Sequence, residues 1–306
     1  MMQQKMLLAL LVVAAPGMAL VSQAPVTRTP VSLSARTSVI GGNWKMNPTT
    51  LEEATALAAE VVASVAGGAP GESIIFPPYP FLGAVADITR GSGLALGAQS
   101  IFFEDSGAYT GAVSASMVKS LGVTYVLAGH SERRTLFKDD DGAINKKVHK
   151  IIDSGMVPCL CVGETKEEYD AGLVESVCSI QLAKDLAGVS ADDVKKLVIA
   201  YEPVWAIGTG LVCPSDVAQS VHKFVRGRIA AMYDKATADA VRIQYGGSVT
   251  PDSVDELMAM PDIDGCLVGG ASLVGEKFSR ILNYEVAAGA KRKKLLNFLK
   301  TRVLRR

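Results

Sequence analysis

The 306-residue chain has no C-x-x-C pair, and its five cysteines, Cys159, Cys161, Cys178, Cys213 and Cys266, are odd in number and scattered. A zinc ribbon and a disulfide framework are both disfavoured. No Gly-x-Gly-x-x-Gly follows the first strand-like run after residue 38, so a dinucleotide-binding fold lacks its fingerprint. Acidic residues are missing from both ends: neither the first 38 nor the last 20 residues contain Asp or Glu. What is present is globular. With 49% hydrophobic and 20% charged residues, 29 Gly and 13 Pro, the chain is neither wholly disordered nor collagen-like nor a coiled coil. The overall charge of zero hides a partition. Three basic residues lie in the first 38 positions and eight in the last 20. That leaves 20 basic against 31 acidic residues between them, a net charge of −11. Such a body is a poor nucleic-acid binder, and no nucleic-acid partner is expected.

The ends read as addresses rather than fold. Lys5 precedes an apolar run from Met6 to Ala15 and then Pro16-Gly17. A run of about ten residues suits a signal-peptide core and is short for a membrane span. From Val21 to Ser38 the chain is rich in Ser and Thr, carries Arg28 and Arg36 and has no acid, which reads as a transit peptide. A signal peptide followed by a transit peptide resembles the two-part presequences of complex algae. Residues 1–38 are therefore expected to address the chain to a plastid, with secretion or another endomembrane compartment as the alternative. At the other end, residues 287–306 form a basic segment with Leu296, Leu299 and Val303 on one helical stripe. An amphipathic basic tail is a candidate for contact with an anionic membrane or an acidic partner, the solvated tail being the alternative.

Between them, 39–286 reads as one domain. Strand-like runs begin near Val39, Ser73, Leu94, Val123, Val157, Leu197, Arg242 and Gly265. Their spacing of about 32 residues is that of βαβ units, with helices predicted over Leu51 to Val65, Asn145 to Ser154 and Ser215 to Tyr233. Thr49 or Thr50 can cap the first. Eight such units predict an α/β fold, a closed single-domain (β/α)8 TIM barrel of eight parallel strands. Chemistry in such a barrel sits at the C-terminal strand ends.

Five of those ends carry candidate residues. Asn43 and Lys45 follow strand one and can hold an anionic, oxygen-rich substrate. His130 follows strand four, at a helix start whose positive potential favours a neutral imidazole that can donate to a substrate oxygen. The other histidines, His149 and His222, have charged neighbours in helix-like segments and are expected at the surface. Glu202 ends strand six, where a carboxylate can serve as a general base, and the run from Trp205 through Gly208 and Gly210 has the makings of a lid. Gly246-Gly247 and Gly269-Gly270 end strands seven and eight, where barrels bind phosphate through backbone N–H groups. The set suits proton abstraction beside a carbonyl in a small phosphorylated sugar, through an enediolate. Nothing in it calls for a metal or a cofactor.

Asn43-Trp44-Lys45, Gly129-His130-Ser131-Glu132-Arg133-Arg134, Tyr201-Glu202-Pro203-Val204-Trp205-Ala206-Ile207-Gly208-Thr209-Gly210, Tyr245-Gly246-Gly247-Ser248 and Gly269-Gly270-Ala271-Ser272-Leu273 together resemble the triosephosphate isomerase family, in order, from Val39 to Tyr284. The resemblance implies interconversion of dihydroxyacetone phosphate and D-glyceraldehyde 3-phosphate. It implies Glu202 as the base, His130 as the neutral electrophile and Lys45 as the cation beside the developing charge. It further implies substrate binding by Asn43, phosphate binding by Gly208, Ser248, Gly269 and Gly270, and a homodimer through the loop around Thr110. The family pattern is broken in three places. Ala112 replaces a usual Glu, Ser100 a common Asn, and Leu211-Val212-Cys213-Pro214 the usual lid hinge of Lys, a small pair and Thr. A different barrel enzyme would share the glycine pairs but not the lid motif around Glu202. A non-catalytic barrel would be expected to lack Lys45, His130 or Glu202.

Overall fold

Short runs of alternating inward and outward apolar residues build the sheet. In the computed structural model, which describes residues 36–286, they are β1 (Val39–Asn43), β2 (Glu72–Phe76), β3 (Ala95–Ala98), β4 (Tyr125–Ala128), β5 (Val157–Val162), β6 (Val198–Tyr201), β7 (Arg242–Tyr245) and β8 (Gly265–Val268). Every strand starts within two residues of its predicted position. Each pairs in parallel with the next, and β1 pairs with both β2 and β8, Val39 lying opposite Glu72 and Gly265. The predicted closed (β/α)8 barrel is thus the observed one. The presequence through residue 35 and the tail from 287 lie outside the described residues.

Parity divides the core in two. On β6, Val198 and Ala200 point into the barrel, whereas Ile199 and Tyr201 face the helices. The inner layer also takes Ile74, Phe76, Leu127, Cys159 and Leu267. The outer layer is sealed by helices α1 (Leu51–Val65), α2 (Leu82–Thr89), α3 (Ala115–Ser120), α4 (Ser131–Thr135), α5 (Asp141–Asp153), α6 (Lys166–Asp170), α7 (Val174–Asp185), α8 (Ala191–Val194), α9 (Ser215–Met232), α10 (Lys235–Ala240), α11 (Val254–Met258) and α12 (Gly275–Leu282). Helix α1 shows the logic: Ala54, Leu57, Ala58, Val61 and Val65 form its buried stripe, and the Thr50 hydroxyl caps it by accepting from Glu53 N–H at 3.2 Å. Helix α5 begins four residues before its predicted start, because Asp140 caps it by accepting from Ala143 N–H at 2.7 Å.

At the bottom of the barrel, Asp264 receives Arg226 at 2.6 Å and Arg36 at 2.7 Å. Arg36 also donates to the Asp239 and Pro261 carbonyls, and the Ser38 hydroxyl meets that of Tyr284 at 2.7 Å. Residues 36–38, assigned to the presequence on sequence, pack here against the barrel.

His222 overturns its surface assignment. Ala218, Val221, His222, Val225 and Ile229 form the buried stripe of α9, and His222 is 0% exposed. Of its charged sequence neighbours, Lys223 is half-buried, whereas Arg226 shares the inward face and is buried on Asp262 and Asp264. Nδ1 lies 2.7 Å from the Ala218 carbonyl, which only a donor satisfies, and the ring meets Tyr201 edge-on at 5.6 Å. His149 is half-buried, with Nε2 2.9 Å from the Ala187 carbonyl. Burial holds His222 below the ordinary imidazole value of 6.5. The unfolded chain therefore takes up a proton that the folded one refuses. The resulting stability is complete above pH 6.5 and is lost as pH falls toward the folded value, by up to about 1.4 kcal/mol per pH unit. In denaturant titrations, the stability advantage of the parent over His222→Gln is expected to shrink between pH 7.5 and 5. A pH-independent difference would count against this assignment.

Candidate active site

Glu202 continues the inward parity of Val198 and Ala200, so its side chain enters the barrel mouth from the strand end. Its N–H is fixed to the Val162 carbonyl at 2.8 Å. The carboxylate is 2% exposed. Oε2 accepts from Ser131 N–H at 2.8 Å, and Oε1 lies 3.1 Å from His130 Nε2. Two donors orient the group, and each oxygen keeps a lone pair free to take a proton.

His130 is the N-cap residue of α4. Its Nδ1 accepts from Glu132 N–H at 3.2 Å. A ring nitrogen that accepts carries no proton, so this contact places the hydrogen of a neutral imidazole on Nε2, the atom that faces Glu202. The chain leaves β4 through Gly129 at φ +75°, where a Cβ would come within 2.9 Å of Arg134 Nη2 and 3.1 Å of the Cys161 carbonyl.

Lys45 sits in the left-handed region at φ +54°, a conformation that costs an L-residue about 1–2 kcal/mol. Its surroundings hold it there. Asn43 Oδ1 accepts the Lys45 N–H at 3.0 Å, and Gln99 Nε2 donates to the Lys45 carbonyl at 2.7 Å and to that of Phe76 at 2.9 Å. The ammonium lies 2.5 Å from Glu132 Oε1. Glu132 lies in the motif around His130 and Gln99 outside the five motifs, and neither role is read from sequence. Each acts across 54 or more positions of chain, and no local signal marks such a partner.

One cleft of about 770 Å³ is lined by Asn43, Lys45, His130, Glu202, Gly208, Ser248, Gly269 and Gly270, all eight residues singled out on sequence. Lys277 is a further cation on its wall. The two glycine pairs divide the work differently from expectation. Gly269 approaches Lys45, whose Cε would stand 3.6 Å from an added Cβ. Gly246 and Gly247 are required by packing: a Cβ on Gly246 would meet Glu202 Cγ at 2.9 Å, and one on Gly247 the Tyr245 hydroxyl at 2.2 Å. Gly246→Ala should therefore displace the carboxylate and cut turnover by tenfold or more, since about 1 Å of misplacement can cost a hundredfold. Steady-state kinetics checks this, and parental turnover in the folded variant would refute it.

The lid motif begins with a 3-10 turn, Val204–Ala206. Its apolar cost is met by burial: Trp205 is 8% exposed, stacks on Tyr169 at 4.3 Å and donates from Nε1 to Glu164 Oε1 at 2.8 Å. Tyr201 donates to the same oxygen at 3.0 Å. Burial pushes the Glu164 carboxyl above its usual range against these two donors. Beyond Gly208 (φ +69°) and Gly210 (φ +80°), Leu211 and Val212 are exposed and Cys213 is buried. Pro214, at φ −56°, occupies the N-cap of α9 and supplies no capping side chain.

Residues 38–285 match the family model described as triosephosphate isomerase. Curated relatives that carry that name include a protein of Herpetosiphon aurantiacus, 48% identical over 82% of this chain and 100% of its own length. A relative from Chlorobium luteolum is 50% identical over 81% of this chain and 98% of its own. One from Caldanaerobacter subterraneus subsp. tengcongensis is 48% identical over 81% and 100%. With the barrel closed and the motif residues gathered in one cleft, the chain belongs to the triosephosphate isomerase family.

Proposed function

We propose that this cleft interconverts dihydroxyacetone phosphate and D-glyceraldehyde 3-phosphate with the roles the motifs imply. The observation that carries the reading is the convergence of a two-donor carboxylate, an imidazole with Nε2–H and a held ammonium on one cleft floored by glycine backbone. Glu202 takes a proton from the carbon beside the carbonyl. His130 Nε2–H and the Lys45 ammonium stabilise the oxygen that becomes negative, the hydroxyl proton passes from one enediolate oxygen to the other, and Glu202 returns its proton to the neighbouring carbon. Preorganised donors of this kind contribute about 3–4 kcal/mol each. The phosphate is held by main-chain N–H groups of Gly208, Ser248, Gly269 and Gly270, with Asn43 on the substrate. A coupled assay on the purified chain, with glyceraldehyde 3-phosphate as substrate, tests the reading, and absent turnover in folded protein rejects it.

The active form is a homodimer joined through the loop around Thr110. That loop is stiffened by ring contacts of Phe102 with Phe103 at 4.3 Å and with Tyr109 at 4.8 Å. Thr110 is exposed, and Met46, adjacent to Lys45, is 89% exposed, an apolar side chain that a second copy would cover. Ala112 offers no carboxylate to a second copy, and Arg133 pairs within its own chain, with Asp139 at 2.7 Å. Sedimentation of Thr110→Arg should give monomers of reduced activity, and an undisturbed dimer would exclude this loop.

The residues read as a presequence, less residues 36–38 that pack on the barrel, address the chain to the plastid of a complex alga by way of the secretory route. Their apolar core followed by an acid-free, hydroxyl-rich stretch supports this. Fused to a fluorescent reporter, they should direct it there, and cytosolic fluorescence would refute it. The tail from 287 to 306, read as solvated in the free chain, is through its basic residues a candidate for contact with an anionic membrane. Co-sedimentation with anionic vesicles at low salt checks this, and its absence removes the idea.

A further inference from the structure

Behind the turn that carries His130 lies a charge cluster that the reaction itself does not use. Asp185, the last residue of α7, is 0% exposed, and its Oδ2 is 2.6 Å from Arg134 Nη2. The other edges of the guanidinium are also engaged. Nε donates to the Gly129 carbonyl at 2.8 Å, Nη2 to the Cys161 carbonyl at 3.2 Å, and Nη1 to Asp141 at 2.7 Å. Asp141 is in turn 3.1 Å from the Lys184 ammonium. Burial raises the Asp185 carboxyl, and the guanidinium opposes it.

Removing two ions from water commonly costs more than their attraction returns, so a buried pair is weak evidence of stabilisation. Its contacts point to a different use. Gly129 directly precedes His130, and Ser131, the next residue, donates its N–H to Glu202 Oε2. Cys161 lies opposite Ala200 on β6, the strand directly before Glu202, and the Glu202 N–H is bonded to the carbonyl of Val162, the neighbour of Cys161. One rigid fork therefore ties the end of β4 to the end of β5, and through β5 to the base. A guanidinium suits this because its donors have fixed relative directions, which an ammonium lacks.

We infer that Arg134, locked in place by Asp185, is a positioning residue that sets the Gly129–Ser131 turn against Glu202. The inference rests on the reading of Glu202 and His130 as the reacting pair. Neither Arg134 nor Asp185 lines the substrate cleft, so their loss should appear in turnover rather than in binding.

The test uses the full chain with Arg134→Lys, which keeps the charge and loses the fork, and Asp185→Asn, which keeps the shape and loses the charge. Active sites are titrated with a phosphorylated hydroxamate that mimics the enediolate, so that misfolded protein is not counted. The expected result is a tenfold or greater fall in kcat per titrated site in at least one variant, with KM within about threefold, since about 1 Å of misplacement can cost a hundredfold. Combined with Glu202→Asp, the losses should be less than multiplicative, because both act on the same alignment. The Ser131 amide proton should shift in NMR spectra of the substrate-free variants. A fall in kcat smaller than threefold in both variants, with that amide unmoved, overturns the inference and leaves the pair a purely structural one. The amide measurement does not depend on turnover. If the parent chain were inactive, the isomerase reading would fall while the amide shift still decided the positioning role.

Discussion

Shortening the base by one methylene in Glu202→Asp should lower kcat by about a hundredfold or more while KM changes little. The carboxylate is held by two donors, Ser131 N–H at 2.8 Å and His130 Nε2 at 3.1 Å. An aspartate on the same backbone, fixed through the Glu202 N–H to Val162, withdraws its oxygens by about 1 Å from both donors and from the substrate carbon. The phosphate contacts assigned to Gly208, Ser248, Gly269 and Gly270 are left in place, which is why affinity is spared. Melting should stay near that of the parent, since the side chain is bonded to groups that are themselves held by β4 and β5. Parental turnover in the variant would show that another group moves the proton.

Lys45→Ala should raise KM and lower kcat together, with a combined fall in kcat/KM of ten- to more than a hundredfold. Hydrogen bonds to charged groups contribute about 1.5–3 kcal/mol, and the ammonium faces negative charge both in the bound substrate and in the enediolate. The left-handed backbone survives the change, because Asn43 and Gln99 hold main-chain atoms of residue 45 and not its side chain. Measured binding of a phosphorylated competitive inhibitor separates the two effects, and an unaltered affinity would remove Lys45 from the phosphate's surroundings.

The barrel was legible because its units repeat: a strand and the helix after it recur about every 32 residues and mark one another, so the strand starts can be placed within two residues. The cleft was legible where residues cluster at strand ends, and all eight candidates meet there. What stayed hidden depends on approach between distant segments. His222 looked exposed because its sequence neighbours are charged, whereas the stripe Ala218–Val221–Val225–Ile229 places it inward. Gly246 and Gly247 line the cleft, but the packing of Glu202, Pro203 and Tyr245 that leaves no room for a Cβ beside them has no local sequence signal. Gln99 is a polar residue at the end of β3 until its two bonds to Lys45 and Phe76 are seen.

The contact between Lys45 and Glu132 has a consequence for selectivity. At 2.5 Å, with both side chains partly exposed, Glu132 occupies the ammonium before any substrate arrives. It is a built-in competitor. A ligand gains from Lys45 only the difference between its own charge interaction and the one it displaces, so a neutral sugar of the same size gains nothing there. A doubly charged phosphate ester outbids a single carboxylate. With Lys45 in the role proposed for it, the pair would bias the site against uncharged trioses, and Glu132→Gln should narrow that discrimination rather than abolish turnover.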